Sequence, residues 1–408
     1  MSRPAPRPRI APLAGGLALL LLLAACQARR AAPPEEGTVP FVFRSLNLRQ
    51  QDQKGRQAWE LTSPEARYDL RRRVAQAMKP RGVIYAEGKA RYRLAAESGT
   101  VINDGEVILL EGNVRLEQLG SQPTLIRASR VRWIPSRSLM EIDRHPEAFD
   151  PLNRIVSRRA RFLLDRNQLE LRGTPQLQRW SKRFDPFSNE KRGPPELVVT
   201  VSRADWQPGS GLLEATGPVR AVRRPAGSAP GRLPQTLSAS ALQGNTIRQE
   251  YRLRAPVRAV DPVDAMQLDA QDVSIEVDQQ RIRSDQPFVA RRGPSSVRGE
   301  ALRVNAGEQS VEIPAGCVLE QPGERLQARR CLWNWKTQAI EAEGNLQLDR
   351  QTNPRSVRAQ QLKGTLGAKG SVQVSSPGGR VISRIRVDQP RRAAKPVQPR
   401  PKPPPIRL

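Results

Sequence analysis

The side chains best suited to chemistry are few in this chain, and their spacing does little to combine them. A single histidine, His145, occurs among 408 residues. It stands between Asp143 and Pro146 with no nucleophile patterned around it, so a turn position suits it better than a general base. Three cysteines, Cys26, Cys317 and Cys331, have no histidine at metal-ligand spacing, so no zinc-type site is indicated. Carboxylates are scattered and mostly flanked by arginine. The Gly-x-x-Gly pieces are not followed by a helix, so no phosphate loop is indicated. The sequence therefore asks for no cofactor and no metal, and an enzyme is not expected.

The thiol with the clearest setting is Cys26. Arg3, Arg7 and Arg9 open the chain, and the apolar stretch from Ile10 to Ala25 ends Leu23-Ala24-Ala25-Cys26. A basic start, a short apolar run and small residues before a cut describe a secretory signal over residues 1–25. The cysteine directly after Leu-Ala-Ala makes it resemble a bacterial lipoprotein signal, cut before Cys26 so that the thiol carries lipid. An uncleaved membrane helix would need about 20 apolar residues, more than this stretch supplies. The expected location is the periplasm, lipid-anchored to a membrane, the inner one rather than the outer; Gln27 after the cysteine leaves that choice open. In an oxidising compartment Cys317 and Cys331 are disulfide candidates. A hairpin centred on Pro322-Gly323 would set Cys317 opposite Ala328, three residues short of Cys331, so the sequence leaves their pairing undecided.

The formal charge is +28, most of it arginine. Removing residues 1–25 takes away three arginines and no acid, leaving about +25. An exported protein meets little nucleic acid, so none is expected as a partner. Anionic membrane surfaces, lipid headgroups and wall polymers are the polyanions at hand. Most of the arginines have a simpler task, the solvation of outer strand faces.

Those strands come as a repeat. Small residues at Ala95, Ala128, Ala239, Ala270, Gly299, Ala328 and Ala359 anchor similar segments, with steps of 29 to 33 residues outside the gap from 128 to 239. Within a unit the period is two: Val114 and Leu116 alternate with Asn113, Arg115 and Glu117, and Val131 and Trp133 with Arg130 and Arg132. Each unit reads as two or three short strands around a turn, then a glycine-centred corner. Repeats of this kind stack in one dimension. Apolar residues are 38% and aromatics 4% of the chain, which suits a thin aliphatic core in an elongated, open all-β sandwich. The stretch Arg71–Met78 could form a turn or two of helix before Pro80. The expected boundaries are a tether over 26–43, a first β domain over 44–185, a loop over 181–195, a second β-repeat domain over 196–388, and a basic Pro-rich disordered tail over 389–408.

Between Leu46 and Val114 the order of motifs becomes specific. Leu46-Asn-Leu-Arg49 precedes Asp52-Gln-Lys-Gly55, Trp59-Glu-Leu61, Ala66-Arg-Tyr-Asp69, Leu94-Ala-Ala96 and Leu110-Glu-Gly-Asn-Val114. This resembles the LptC family of lipopolysaccharide export over about 44–180, and the repeats after 196 are similar to the LptA/OstA components. The resemblance implies a twisted open β-jellyroll in which acyl chains ride an apolar groove. It implies lipopolysaccharide as cargo, and as partners the inner-membrane ABC transporter and a periplasmic LptA/OstA-like bridge protein. Groove-facing positions are expected at Leu61, Tyr68, Leu94, Leu109, Val114, Leu116, Val131 and Trp133. Structural corners are expected at Gly112 and Gly344, with Gly217 placed similarly. Two other readings stand beside the bridge: a lipid-anchored structural or wall-binding protein, and a carrier for another lipid.

Overall fold

Alternating side chains and frequent turns give 36 strands among the described residues and two single 3-10 turns. The computed structural model describes residues 41–224, 231–351, 355–365 and 371–385. The signal over 1–25, Cys26, the tether up to residue 40, the Pro/Gly/Ala-rich stretch 225–230 and the tail over 389–408 lie outside them.

All ladders are antiparallel and arrange themselves as two walls. The front wall begins with Leu46–Gln51 and Gln57–Ser63 and ends with Ile382–Ile385. The back wall begins with Phe41–Phe43 and Glu65–Asp69 and ends with Val372–Ser375. Six long strands, Val107–Gln118, Thr124–Ile134, Leu212–Arg223, Gln235–Asn245, Ala339–Arg350 and Arg355–Thr365, serve both walls, so that each wall holds 21 of the 36 strands. At about 4.8 Å per strand the stack runs about 100 Å. The last three residues of the expected tether are a strand, Phe41–Phe43, paired with Ala66–Tyr68. No gap separates two domains: Gln176–Arg179 pairs with Leu197–Thr200, and Gln168–Arg172 with Arg203–Trp206. Both ladders thus continue past residues 186–195. Arg71–Met78 is not helical, because Val74–Met78 pairs with Ser98–Ile102 and only residues 70–73 turn; ladder pairing overrides a weak local helix preference.

The chain passes between walls at a seam, and tight backbone there requires glycine. In the three shared strand pairs the register slips beside Gly112, Gly217 and Gly344. Their φ angles are +75, +87 and +76, a region L side chains disfavour. Each also presses on the residue fifteen positions earlier: a Cβ at Gly112 would lie 2.3 Å from Glu97 Oε2, and one at Gly217 2.2 Å from Ser202 Oγ. The small anchors of the sequence repeat sit just before these corners on the front wall. Ala128, Ala239, Ala270, Gly299, Ala328 and Ala359 are all buried, since two walls converge there and leave no room for longer side chains. At the opposite ends of the back-wall strands, glutamines recur at positive φ: Gln249, Gln280, Gln309 and Gln338, at +57, +53, +57 and +61.

Cys317 and Cys331 are joined, with Cα atoms 6.0 Å apart. The hairpin register does set Cys317 opposite Ala328. Cys331, however, belongs to the back wall, opposite Ile313. The bridge therefore spans the walls at the seam, and hairpin register never governed it. His145 is another seam corner, at φ +50, with its Nδ1 3.1 Å from Ser129 Oγ.

Candidate functional site

The only continuous apolar surface of the described residues lies between the walls, and it changes character along the stack. In the N-terminal section aromatic side chains from facing walls fill it. Trp59 of the front wall meets Trp133 of the back wall edge to face at 5.4 Å, and Tyr92 meets Phe162 at 5.6 Å. All four are at most 4% exposed. Polar contacts close the mouth above them. The Tyr92 hydroxyl donates to Asn167 Oδ1 at 3.0 Å, and the Arg179 guanidinium donates to Gln249 of the opposite wall. Burial pushes the Tyr92 phenol up to about 12, since a phenolate would lose its hydration there. The indole N–H groups of Trp59 and Trp133 are buried without a partner among the described residues.

Beyond the Arg179–Gln249 contact the walls part. The row nearest the seam stays buried, as at Leu242, Leu253, Phe288, Leu302 and Ile313. The next row outward is apolar yet only half-buried: Leu237, Leu268, Val297 and Leu319 on the front wall, Tyr251, Ile275, Ile282, Val304 and Val311 on the back. At the transition, an apolar cavity of about 150 Å³ lies among Leu177, Val199, Leu237, Tyr251 and Ile275. The result is a trough with a sealed floor and apolar sides, about one side-chain row deep.

The eight groove positions expected from sequence fall mostly in the closed section. Leu61, Leu94, Val114, Leu116, Val131 and Trp133 point inward and are at most 4% exposed. They pack against the facing wall and leave no free surface in this conformation. Tyr68 is half-buried near the N-terminal end, its hydroxyl donating to Asp104. Leu109 faces the other way. It alternates with the fully buried Ile108 and Leu110 and sits opposite Thr100 and Arg132 on the outer face; the period of two puts 108 and 110, not 109, inside. Gly112 and Gly344 are seam corners, as described above. The half-buried trough row carries no sequence signal of its own, because it looks like ordinary strand alternation. Its exposure depends on whether the opposite wall supplies a large side chain, and no local pattern carries that.

Residues 10–174 match the family described as "LptC: Lipopolysaccharide-assembly, LptC-related". This part of the chain is similar to the LptC-related family. The LptC-related part thus contains the whole closed section, Trp59, Tyr92, Trp133 and Phe162 included, while the open trough lies beyond it. No curated protein matches the chain. Among solved structures it is similar to LptH of Pseudomonas aeruginosa, the LptA homologous periplasmic component of the conserved lipopolysaccharide transport device. The identity is 13%, the coverage 35% of this chain and 93% of that one, and the TM-score 0.25.

Proposed function

We propose that this chain is a periplasmic component of the lipopolysaccharide transport bridge, held to the inner membrane by lipid on Cys26. It takes lipopolysaccharide from the inner-membrane ABC transporter at its N-terminal end. It passes the acyl chains along the trough toward an LptA/OstA-like protein at its C-terminal end. The observation that carries this is the trough itself, an apolar strip between two continuous walls that stays half-open for roughly half the stack. Exposed apolar rows of this length are costly in water unless something apolar occupies them. The LptC-related assignment of residues 10–174 supplies the cargo class.

The closed section then acts upstream of the trough. Acyl chains reach Leu116 or Trp133 only when the walls part, which breaks the Tyr92–Asn167 and Arg179–Gln249 contacts. Two unpartnered indole N–H groups, each costing about 1–3 kcal/mol when buried, make that section easier to open than its aromatic packing alone would allow. The extra repeats after residue 196 lengthen the bridge within one chain.

Photo-crosslinking tests the reading. A photoreactive residue at Leu268 or Ile282 should capture lipopolysaccharide in cells, whereas one at the outward Arg283 should not. Capture at Leu116 should appear only while the transporter is working. Equal capture at Ile282 and Arg283 would contradict an acyl-chain path between the walls.

A further inference from the structure

The outer side of the front wall carries a second feature that the trough does not use. Arg115 and Arg127 stand directly opposite each other on neighbouring strands, a like-charge pairing that destabilises a sheet unless it is offset. Glu147 is the next residue across, but it is engaged by Arg154. The segment from Trp180 to Pro195 folds over this patch and adds Arg192. Trp180 and Phe184 pack edge to face at 5.5 Å, and Trp180 Nε1 donates to the Gly193 carbonyl at 2.8 Å, which holds the flap in shape.

Three guanidinium groups converge on one buried ring. Arg127, Arg154 and Arg192 lie 5.2, 5.8 and 5.3 Å from the centre of Phe149, and Arg192 lies 4.1 Å from that of Phe184. Stacking of this kind fixes the planes of the guanidinium forks. The Nε atoms of Arg115, Arg127 and Arg192 are buried with no hydrogen-bond partner among the described residues. Arg127 otherwise donates only a long bond, 3.4 Å, to Asn189 Oδ1. Burial, and after it the neighbouring arginines, hold the Arg127 and Arg192 guanidinium values below their usual range, while Glu147, Asp185 and Glu190 act on Arg192 in the opposite sense. An open cleft of about 410 Å³ is bounded by Arg127, Arg154, Arg192, Phe149 and Trp180.

We propose that this cleft is a phosphoryl-binding site, taking a phosphate monoester dianion between Arg127, Arg192 and Arg154 on the floor made by Phe149. A dianion supplies the acceptor oxygens that the Arg127 and Arg192 forks lack, beside an Arg154 already paired with Glu147, and offsets the facing arginines; a fork matches phosphate geometry in two bonds. The aromatic rim suits an apolar or sugar group on the ester oxygen. The site is on the outside of the wall, so it stands or falls apart from the trough. The phosphoryl group has two possible sources, a lipid headgroup or a soluble phosphate ester.

The test compares the unfolding temperature of the full chain in phosphate and in chloride at equal ionic strength. Four proteins are used: wild type, Arg127→Gln, Arg192→Gln, and Arg303→Gln as a control whose arginine is ion-paired with Glu312 on the back wall. Phosphate should stabilise wild type and Arg303→Gln, and calorimetric affinity should fall about tenfold in the other two. In chloride Arg127→Gln should unfold no lower than wild type, because a like-charge neighbour has been removed. Arg192→Gln lies in the flap, outside the ladders, and keeps the test informative if Arg127→Gln folds poorly. Flotation with phosphatidylcholine vesicles containing phosphatidic acid, against phosphatidylcholine alone, separates the sources. A loss of binding in Arg192→Gln assigns a lipid headgroup; unchanged flotation beside a lost phosphate response assigns a soluble ester. Equal phosphate stabilisation of all four proteins, or none of wild type, overturns the site.

Discussion

Tyr92 is the residue on which the closed section turns. Its ring fills the space between walls, and its hydroxyl reaches the far rim at Asn167. Tyr92→Phe keeps the ring but leaves the Asn167 oxygen unpaired, so at neutral pH it should cost about 1 kcal/mol. The pH dependence has a definite sign. The folded phenol is raised to about 12 from an ordinary 10, so the folded state keeps its proton where the unfolded chain releases it. The stabilisation is complete below pH 10 and is lost as pH rises from 10 through 12. At pH 11 wild type should have lost about 1.4 kcal/mol at this position, a loss Tyr92→Phe cannot show. Denaturant unfolding at pH 8 and pH 11 measures the difference. Tyr68, Tyr85 and Tyr251 are raised too, so only the gap between wild type and variant is diagnostic; parallel curves would remove Tyr92 from the latch. The same variant weakens the mouth, and crosslinking at Leu116 should rise with it.

At the scale of strands and corners, the seam decides what can change. Gly112→Ala meets both a positive φ, worth about 1–2 kcal/mol, and the Glu97 side chain at 2.3 Å. Gly344→Ala has the same φ, but its nearest neighbour is Arg329 Cβ at 3.1 Å. Thermal unfolding should therefore rank Gly112→Ala below Gly344→Ala, with costs of about 2–3 and about 1–2 kcal/mol; the reverse order would mean that Glu97 moves aside freely. The disulfide works on the same seam in the open section, where no aromatic pair ties the walls. Closing a loop of 14 residues should contribute about 3 kcal/mol, so Cys317→Ser with Cys331→Ser should unfold earlier than oxidised wild type and match reduced wild type. A double variant as stable as the oxidised protein would show that the seam holds without its bridge. Much of this level could be read in the sequence. The alternation of Val114 and Leu116, the small anchors from Ala95 to Ala359 and the corner glycines all report local backbone needs. What could not be read depends on the facing wall. Trp59 and Trp133 are 74 residues apart in sequence, and the contact that makes one stretch core and another trough arises only when both walls are assembled. The disulfide was obscured for the same reason, because Cys331 answers to the back wall and not to the hairpin of Cys317.

At the scale of the whole stack, the walls of the described residues end in four edges and do not close, so the ends are where other proteins can add strands. At the N-terminal end Phe41, Val42 and Phe43 form a three-residue edge strand that is 57%, 60% and 44% exposed, an apolar edge that water alone does not favour. At the other end the back wall finishes in Val372–Ser375 and the front wall in Ile382–Ile385, each hydrogen-bonded on one side to Arg355–Thr365. Removing 389–408 leaves both terminal strands in place, so export should continue nearly unchanged. Removing 371–408 strips both at once and bares Arg355–Thr365, whose outward residues include Arg358 and Lys363. Charged side chains of that kind discourage strand addition. In the longer deletion the trough over residues 237–340 is intact, and the chain should still reach the periplasm and still capture lipopolysaccharide at Ile282. It should no longer co-purify with the LptA/OstA-like partner, and lipopolysaccharide should stop reaching the cell surface. Retained co-purification in the 371–408 deletion would place the downstream contact somewhere other than the C-terminal edge, while loss of capture at Ile282 would show that the last strands hold the trough open.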